Sequence, residues 1–237
     1  MGINPNQPAR VPCGIAIRGF ANKSFLEDIV ELVPDLRIAF DVGAHEGRTA
    51  AQFLRFFPDA TVYSFEPSPR TFATLMQKGG NVPRLVIENL ALSDVAGRFE
   101  FHEYGDNEAN SLLTVDSRSA SQIPVGLEDR GTTTISAVTL DEYCEKRGVE
   151  NIDLLKFDVQ GAELRALVGA SQMLLSKRIR AIYLETSFVP IYVGQCEFHE
   201  LQKMLLMHGF QLFDFYNFSY GPNGQLRWGD ALFLRID

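Results

Sequence analysis

Asp41-Val42-Gly43-Ala44-His45-Glu46-Gly47 lies between an apolar run, Ile38-Ala39-Phe40, and an amphipathic run that carries Ala50, Ala51, Phe53, Leu54 and Phe57. That order predicts a buried strand, a glycine turn and a helix. Glycines let the backbone approach a ligand closely, and a helix start aims unpaired N–H groups at it. A second acid, Glu66, closes the next apolar run, Thr61 to Phe65, and is followed by Pro67 and Ser68. A carboxylate at that place can accept hydrogen bonds from both hydroxyls of a ribose. Together the two segments describe a nucleoside-cofactor site at the strand ends of an α/β sheet.

Asp41 bears on which cofactor. A dinucleotide fold shows G-x-G-x-x-G after its first strand and packs a pyrophosphate on the helix N-terminus. Here only Gly43 and Gly47 are glycine, and a carboxylate precedes them. Beside a pyrophosphate that carboxylate would set negative charge against negative charge. S-adenosylmethionine has no phosphate and carries a sulfonium and an ammonium, so it suits the site better. Taken alone, Asp41 reads equally as a turn or cap residue; Glu66 at the matching place gives it a ligand to share.

Composition narrows the setting. The chain has 237 residues, 46% hydrophobic and 22% charged, which is one ordinary globular domain with a sizeable core. No apolar run reaches the length of a membrane span, and the polar start, Met1 to Pro12, has no apolar stretch of a signal peptide. Cys13, Cys144 and Cys196 are too few and too far apart for a disulfide framework or a zinc pattern, which favours a reducing cytoplasm. A net charge of −8 argues against a broad nucleic-acid surface.

Residues 1–23 read as an extension and 24–237 as the domain. Ser24 caps a helix carrying Phe25, Leu26, Ile29, Val30 and Val33, which Pro34 ends. Strands are expected over 37–41, 61–66 and 84–89, with helices over 47–57 and 69–78. An added strand is expected over 98–104. Residues 104–130 form a long polar stretch, read as the substrate-side loop. Residues 132–138 are strand-like, and Thr139 with Glu142 makes a capping box. Strands then follow over 152–159, 179–186 and 210–215. Between the first two of these, one helix is expected, with Leu164, Leu167, Val168, Leu174 and Leu175 on one face. Phe198, Leu201, Met204 and Leu205 line another. The last strand, 230–236, follows only turn residues (Gly221 to Gly224), so it must be antiparallel to its neighbour.

The markers DVGAHEG (41–47), FEPSP (65–69), NLALSD (89–94), TLDEYC (139–144), LLKFDVQGAEL (154–164) and GDALF (229–233) occur in this order over most of the chain. In them the sequence resembles the FkbM family of S-adenosylmethionine-dependent methyltransferases. It departs from the common pattern at His45, often Asn there, and at Gln160, often Glu. The resemblance implies a class I methyltransferase (Rossmann-like) α/β fold: a mostly parallel seven-stranded sheet with an antiparallel last strand and an inserted β/loop region. It also implies methyl transfer, most often to the hydroxyl of a sugar, polyketide or other secondary metabolite.

In that setting Asp41, Gly43, Ala44 and Gly47 would shape the pocket for the methionine part of the cofactor. Glu66 would hold the ribose, with Pro67, Ser68, Leu90, Ala91 and Leu92 near the adenine. Asp158, at the end of the fourth strand, is the first candidate base or positioning group for an acceptor hydroxyl. Glu163, in the first turn of the next helix, is a second acid that could contact substrate. His45 reads as a loop-packing histidine, and His102, His199 and His208 as structural or solvated ones. No His/Asp/Glu grouping has metal-ligand spacing, so no metal is expected. Two alternatives stay open: a catalytically idle cofactor-binding partner subunit, and an NAD-type oxidoreductase. The sequence leaves the acceptor and the oligomeric state open.

Overall fold

A computed structural model describes residues 24–117 and 126–236. The expected extension, Cys13 and the middle of the expected loop lie outside the described residues. Strands β1 (Ile38–Val42), β2 (Thr61–Phe65), β3 (Leu85–Glu88), β7 (Ile152–Phe157), β8 (Ile179–Ser187), β9 (Phe210–Tyr220) and β10 (Leu226–Arg235) form one sheet in the order β3-β2-β1-β7-β8-β10-β9. The first five are mutually parallel, and β10 runs antiparallel to both β8 and β9. This is the class I methyltransferase arrangement. The strand order reverses between β1 and β7, where α/β sheets open a crevice at their C-terminal edge.

Alternate residues of each strand feed two cores, as a sheet covered on both faces requires. Phe40, Val42, Phe65, Leu155, Phe157 and Phe233 pack with Tyr143, Leu167, Leu201 and Leu205 on one face. Ala39, Val62, Leu154, Tyr183 and Leu232 pack with Leu26, Ile29, Ala50 and Phe53 on the other. Helices α1 (Phe25–Leu32), α2 (Arg48–Phe56), α3 (Pro69–Gly79), α4 (Leu140–Arg147) and α7 (Phe198–Met207) supply most of these layers. Their starts follow local chemistry. Ser24–Glu27 and Thr139–Glu142 are reciprocal capping boxes, and Ser68 caps α3 ahead of Pro69.

One expectation needs correction. The single helix after Asp158 is two, α5 (Glu163–Val168) and α6 (Ser171–Leu175). At the break, the Asp141 carboxylate accepts from Gln172 N at 2.8 Å and Met173 N at 3.0 Å, and so starts a second helix. A Cβ on Gly169 would sit 2.1 Å from Ser93 O, so only glycine passes there. The break turns Val168 and Leu175 out to solvent, while Leu167 and Leu174 stay buried. The added strand belongs to the expected insertion, outside the seven-stranded sheet. Strands β4 (Ala91–Leu92), β5 (Gly97–Tyr104) and β6 (Asp129–Val138) make a separate three-stranded sheet in the order β4-β6-β5.

The described parts of the expected substrate-side loop are tied down. Ser111 pairs with His102 and Val115 with Tyr192 as isolated antiparallel bridges, and residues 107–109 make a single tight turn. Cys144 and Cys196 are buried free thiols. Among the described residues no helix is long and apolar enough to cross a membrane.

Candidate functional site

A cleft opens at the C-terminal ends of β1, β2 and β7. Gly43, Ala44, Glu66, Pro67, Leu90, Ala91, Leu92 and Asp158 line it, with Lys156, Gln160 and Glu185 at its inner end. Eight of the residues expected at the site are thus brought into one wall system. Gly43 shows why its loop is so close: its φ is +76°, and a Cβ there would meet the Asp158 carbonyl oxygen at 1.8 Å. The turn after β1 therefore rests on the turn after β7. Asp158 N donates to Val42 O at 3.0 Å and completes the join.

Asp41, Gly47 and Ser68 stand behind the wall rather than in it. Gly47 (φ +86°) sets the left-handed entry to α2, and Ser68 caps α3. Asp41 is fully buried, and Lys156 Nζ lies 3.0 Å from its Oδ1. The two residues are register partners on neighbouring strands. Lys156 also donates to Gly43 O at 3.0 Å and lies 3.7 Å from Asp158 Oδ2. Burial alone would depress the Lys156 ammonium, but the charges of Asp41 and Asp158 outweigh it and keep the group protonated. The carboxylate of Asp41 is therefore answered from within the protein. The case against a pyrophosphate rests instead on Glu66, Glu108, Asp158 and Glu185, the acids that do line the cleft.

Glu66 is held from both sides. Its Oε2 accepts from His45 N and its Oε1 from Ser68 N, each at 2.9 Å. Burial pushes its carboxyl above the usual range, and the two amides pull it back. Each oxygen keeps a free acceptor direction. Asn89 Nδ2 donates to Glu66 O at 2.9 Å and Pro67 O at 3.1 Å, which fixes the segment behind the carboxylate. His45 itself adopts φ +49°, a backbone state uncommon for a side chain of its size.

A second cleft adjoins the first. Trp228, Tyr192, Ile191 and Leu127 wall it, Asp106 lies at its rim, and Glu108, Gln160 and Glu185 belong to both clefts. Gln160, at φ +54°, is the junction. Its Nε2 donates to Asp158 Oδ1 at 2.8 Å and to Glu185 Oε2 at 2.9 Å. Its Oε1 lies 3.0 Å from the Tyr192 hydroxyl, and its carbonyl accepts from Ser111 Oγ at 2.7 Å. Glu163 does not reach either cleft. It is 3% exposed, and its Oε1 accepts from Val159 N at 3.1 Å and Gly161 N at 3.3 Å. Burial pushes its carboxyl up to about 7. The structure makes it a clamp on the 158–162 turn, which corrects the expectation that it contacts substrate. Asp230, raised to about 6 by burial, is likewise occupied by Tyr183 and Asn217, each at 2.7 Å. Among the described residues no His, Cys, Asp and Glu group is placed to hold a metal ion.

The Methyltransferase FkbM domain matches residues 41–212, which run from the end of β1 to the start of β9 and include every residue lining the first cleft. The chain belongs to the FkbM methyltransferase family. It is 32% identical over 175 residues to 2-O-methyltransferase NoeI of Sinorhizobium fredii, covering 71% of this chain and 70% of NoeI. It is 30% identical over 217 residues to 31-O-demethyl-FK506 methyltransferase FkbM of Streptomyces tacrolimicus, covering 81% and 78%. It is 30% identical over 140 residues to hexuronic acid methyltransferase AglP of Haloferax volcanii, covering 59% and 52%.

In this FkbM-family methyltransferase, sequence reasoning missed Lys156 and Glu185. Lys156 left a signal, a lone lysine inside the apolar run Leu154-Leu155-Lys156-Phe157. A cation buried in a central strand needs an acid across the register, and Asp41 is that acid. Glu185 left less, because an acid near a strand end is a common feature of any α/β sheet.

Proposed function

We propose that the first cleft holds S-adenosylmethionine and that the protein transfers its methyl group to a hydroxyl oxygen of a small molecule, a sugar, polyketide or other secondary metabolite. The observation that carries the reading is the Glu66 carboxylate, fixed by two backbone amides with an acceptor direction left on each oxygen for a ribose diol. The cleft's charge supports it as well. Lys156 is one ammonium among Asp41, Asp158, Asp230 and Glu185, so the inner end favours a cation. When bound, S-adenosylmethionine supplies an electrophilic methyl on a sulfonium.

The protein's own residues would do the rest. Gly43 and Ala44 approach the methionine part, with Asp41 and Lys156 stiffening their turn from behind. Pro67, Leu90, Ala91 and Leu92 offer an apolar bed for the adenine. Asp158 stands beside the inner end, where the acceptor must be aligned for an in-line displacement. Oxygen as the acceptor atom is supported by the O-methyl chemistry in the names of the NoeI and FkbM relatives. Residues 24–237 would act as one catalytic domain, with the 104–130 segment on the acceptor side. The net charge of −8 disfavours nucleic acid as acceptor, and the sparse cysteines fit the cytoplasm.

Calorimetry with S-adenosylmethionine and S-adenosylhomocysteine tests the reading, followed by labelled-methyl transfer to a panel of glycosides and secondary alcohols. Both sulfur nucleosides should bind, and Glu66→Ala should lose about 1.5–3 kcal/mol of that affinity. Tight NAD binding without a response to either nucleoside would overturn it. Glu66→Ala should also lower folding stability, because His45 N and Ser68 N lose their acceptor.

A further inference from the structure

We infer that Glu185, rather than Asp158, is the general base that takes the acceptor's proton, and that the acceptor enters through the second cleft. The inference rests on the methyl-transfer reading above. Glu185 is one of three residues common to both clefts, and its carboxylate stands where a cofactor on one side and an acceptor on the other would meet. Gln160 holds Oε2 at 2.9 Å, while Oε1 has no hydrogen-bond partner among the described residues.

Asp158 is the more encumbered of the two carboxylates. Its side chain is 44% exposed, its Oδ1 accepts from Gln160 and its Oδ2 lies 3.7 Å from the Lys156 ammonium. Both of its oxygens therefore already face a partner. Glu185 differs. Burial, and then the charges of Asp158, Glu163 and Asp230, push its carboxyl well above the usual range, against Lys156; the Tyr192 hydroxyl also faces it. A carboxyl raised in this way takes up a proton more readily than an ordinary one, as a general base requires. In the step, the acceptor oxygen bonds the methyl carbon as the carbon–sulfur bond breaks, and the electron pair stays on sulfur. The hydroxyl proton passes to Glu185, which releases it to solvent once the methylated product has left. Gln160 is then a positioning residue: one amide group fixes two carboxylates and leaves one of them an open oxygen.

Titration calorimetry from about pH 5.5 to 8.5 tests the assignment, on wild type, Glu185→Gln and Asp158→Asn, with S-adenosylmethionine and S-adenosylhomocysteine as probes. The two ligands differ by one positive charge at sulfur. As Glu185 ionises with rising pH, the wild-type preference for the sulfonium should grow by about tenfold. Glu185→Gln should abolish that growth and leave S-adenosylhomocysteine affinity within about twofold, and Asp158→Asn should keep it. With any acceptor that the wild type methylates, Glu185→Gln should cut turnover about 10²-fold or more, and turnover in the wild type should rise over the same pH interval. A pH-dependent preference that survives in Glu185→Gln, or vanishes only in Asp158→Asn, would overturn the assignment while leaving methyl transfer intact. Failure of the wild type to bind either probe would instead remove the methyl-transfer reading beneath it.

Discussion

The two clefts are built by different means. The first is made largely of backbone: the Gly43 turn seated on the Asp158 carbonyl, and the two amides that grip Glu66. The second is made of side chains, Trp228, Tyr192, Leu127 and Glu185, drawn from segments far apart in the chain. A backbone-built wall needs particular residues at fixed short spacing, because few residue types can adopt its dihedrals or fit its contacts. A side-chain-built wall needs only that several elements arrive at one place. The first kind of wall suits a ligand that does not vary, and the second suits one that can change among relatives.

That contrast can be broken most severely at Lys156. Lys156→Met removes the partner of a fully buried carboxylate and the donor to Gly43 O. It should cost about 3–5 kcal/mol in urea denaturation. The double variant with Asp41→Asn should recover part of the loss, since the two changes share one contact. A single variant as stable as wild type would show that the first wall does not depend on this pair.

The next test falls on the turn that both clefts share. Glu163 titrates near 7 when folded, against an ordinary value of 4.5. Between those two pH values the unfolded chain has shed this proton and the folded chain still holds it. Stability should therefore fall as pH rises through that window and level off above it, by about 3 kcal/mol in total. Glu163→Gln should remove the fall, so that the variant gains on the wild type between pH 4.5 and about 8 in paired urea titrations. An equal difference at both ends would mean that the group is not held protonated.

The smallest effect sharpens the contrast instead. Trp228 lines only the second cleft. Trp228→Ala should leave S-adenosylhomocysteine affinity within about 0.5 kcal/mol, while affinity for a methylated acceptor drops. A matching loss of nucleoside affinity would merge the two clefts into one site.

The same division explains what could be read from the sequence. The strand–turn–helix at 38–56, the acid after β2, the Ser24 cap, the Thr139–Glu142 capping box and the antiparallel end are local patterns, and each appears in the fold. Gly43, Glu66 and Asp158 were legible because strand ends in a parallel sheet share one edge. The Asp41–Lys156 pair was not, since it depends on register between strands 115 residues apart in sequence. Glu185 depends likewise on β8 coming to lie between β7 and β10. The break between α5 and α6 escaped because the apolar spacing runs straight through it. Its cause, the Asp141 carboxylate, comes from another helix.

The placement of β10 bears on how the chain acquires its shape. Among the described strands it follows all the others in sequence, yet it lies between β8 and β9 and buries Ala231, Leu232 and Phe233 completely. During synthesis, the other described strands leave the ribosome before the one that covers the flank of β8. Until then β8 offers a long row of unpaired backbone groups bordered by apolar side chains, the kind of edge that recruits neighbouring chains. The hairpin turn at Gly221 to Gln225 brings β10 in beside β9 by a local contact, so closure of the sheet waits on a fast local event followed by one long-range docking. A chain in which β10 is slow to dock would have the first cleft outlined, the second still lacking Trp228, and a central sheet open to aggregation.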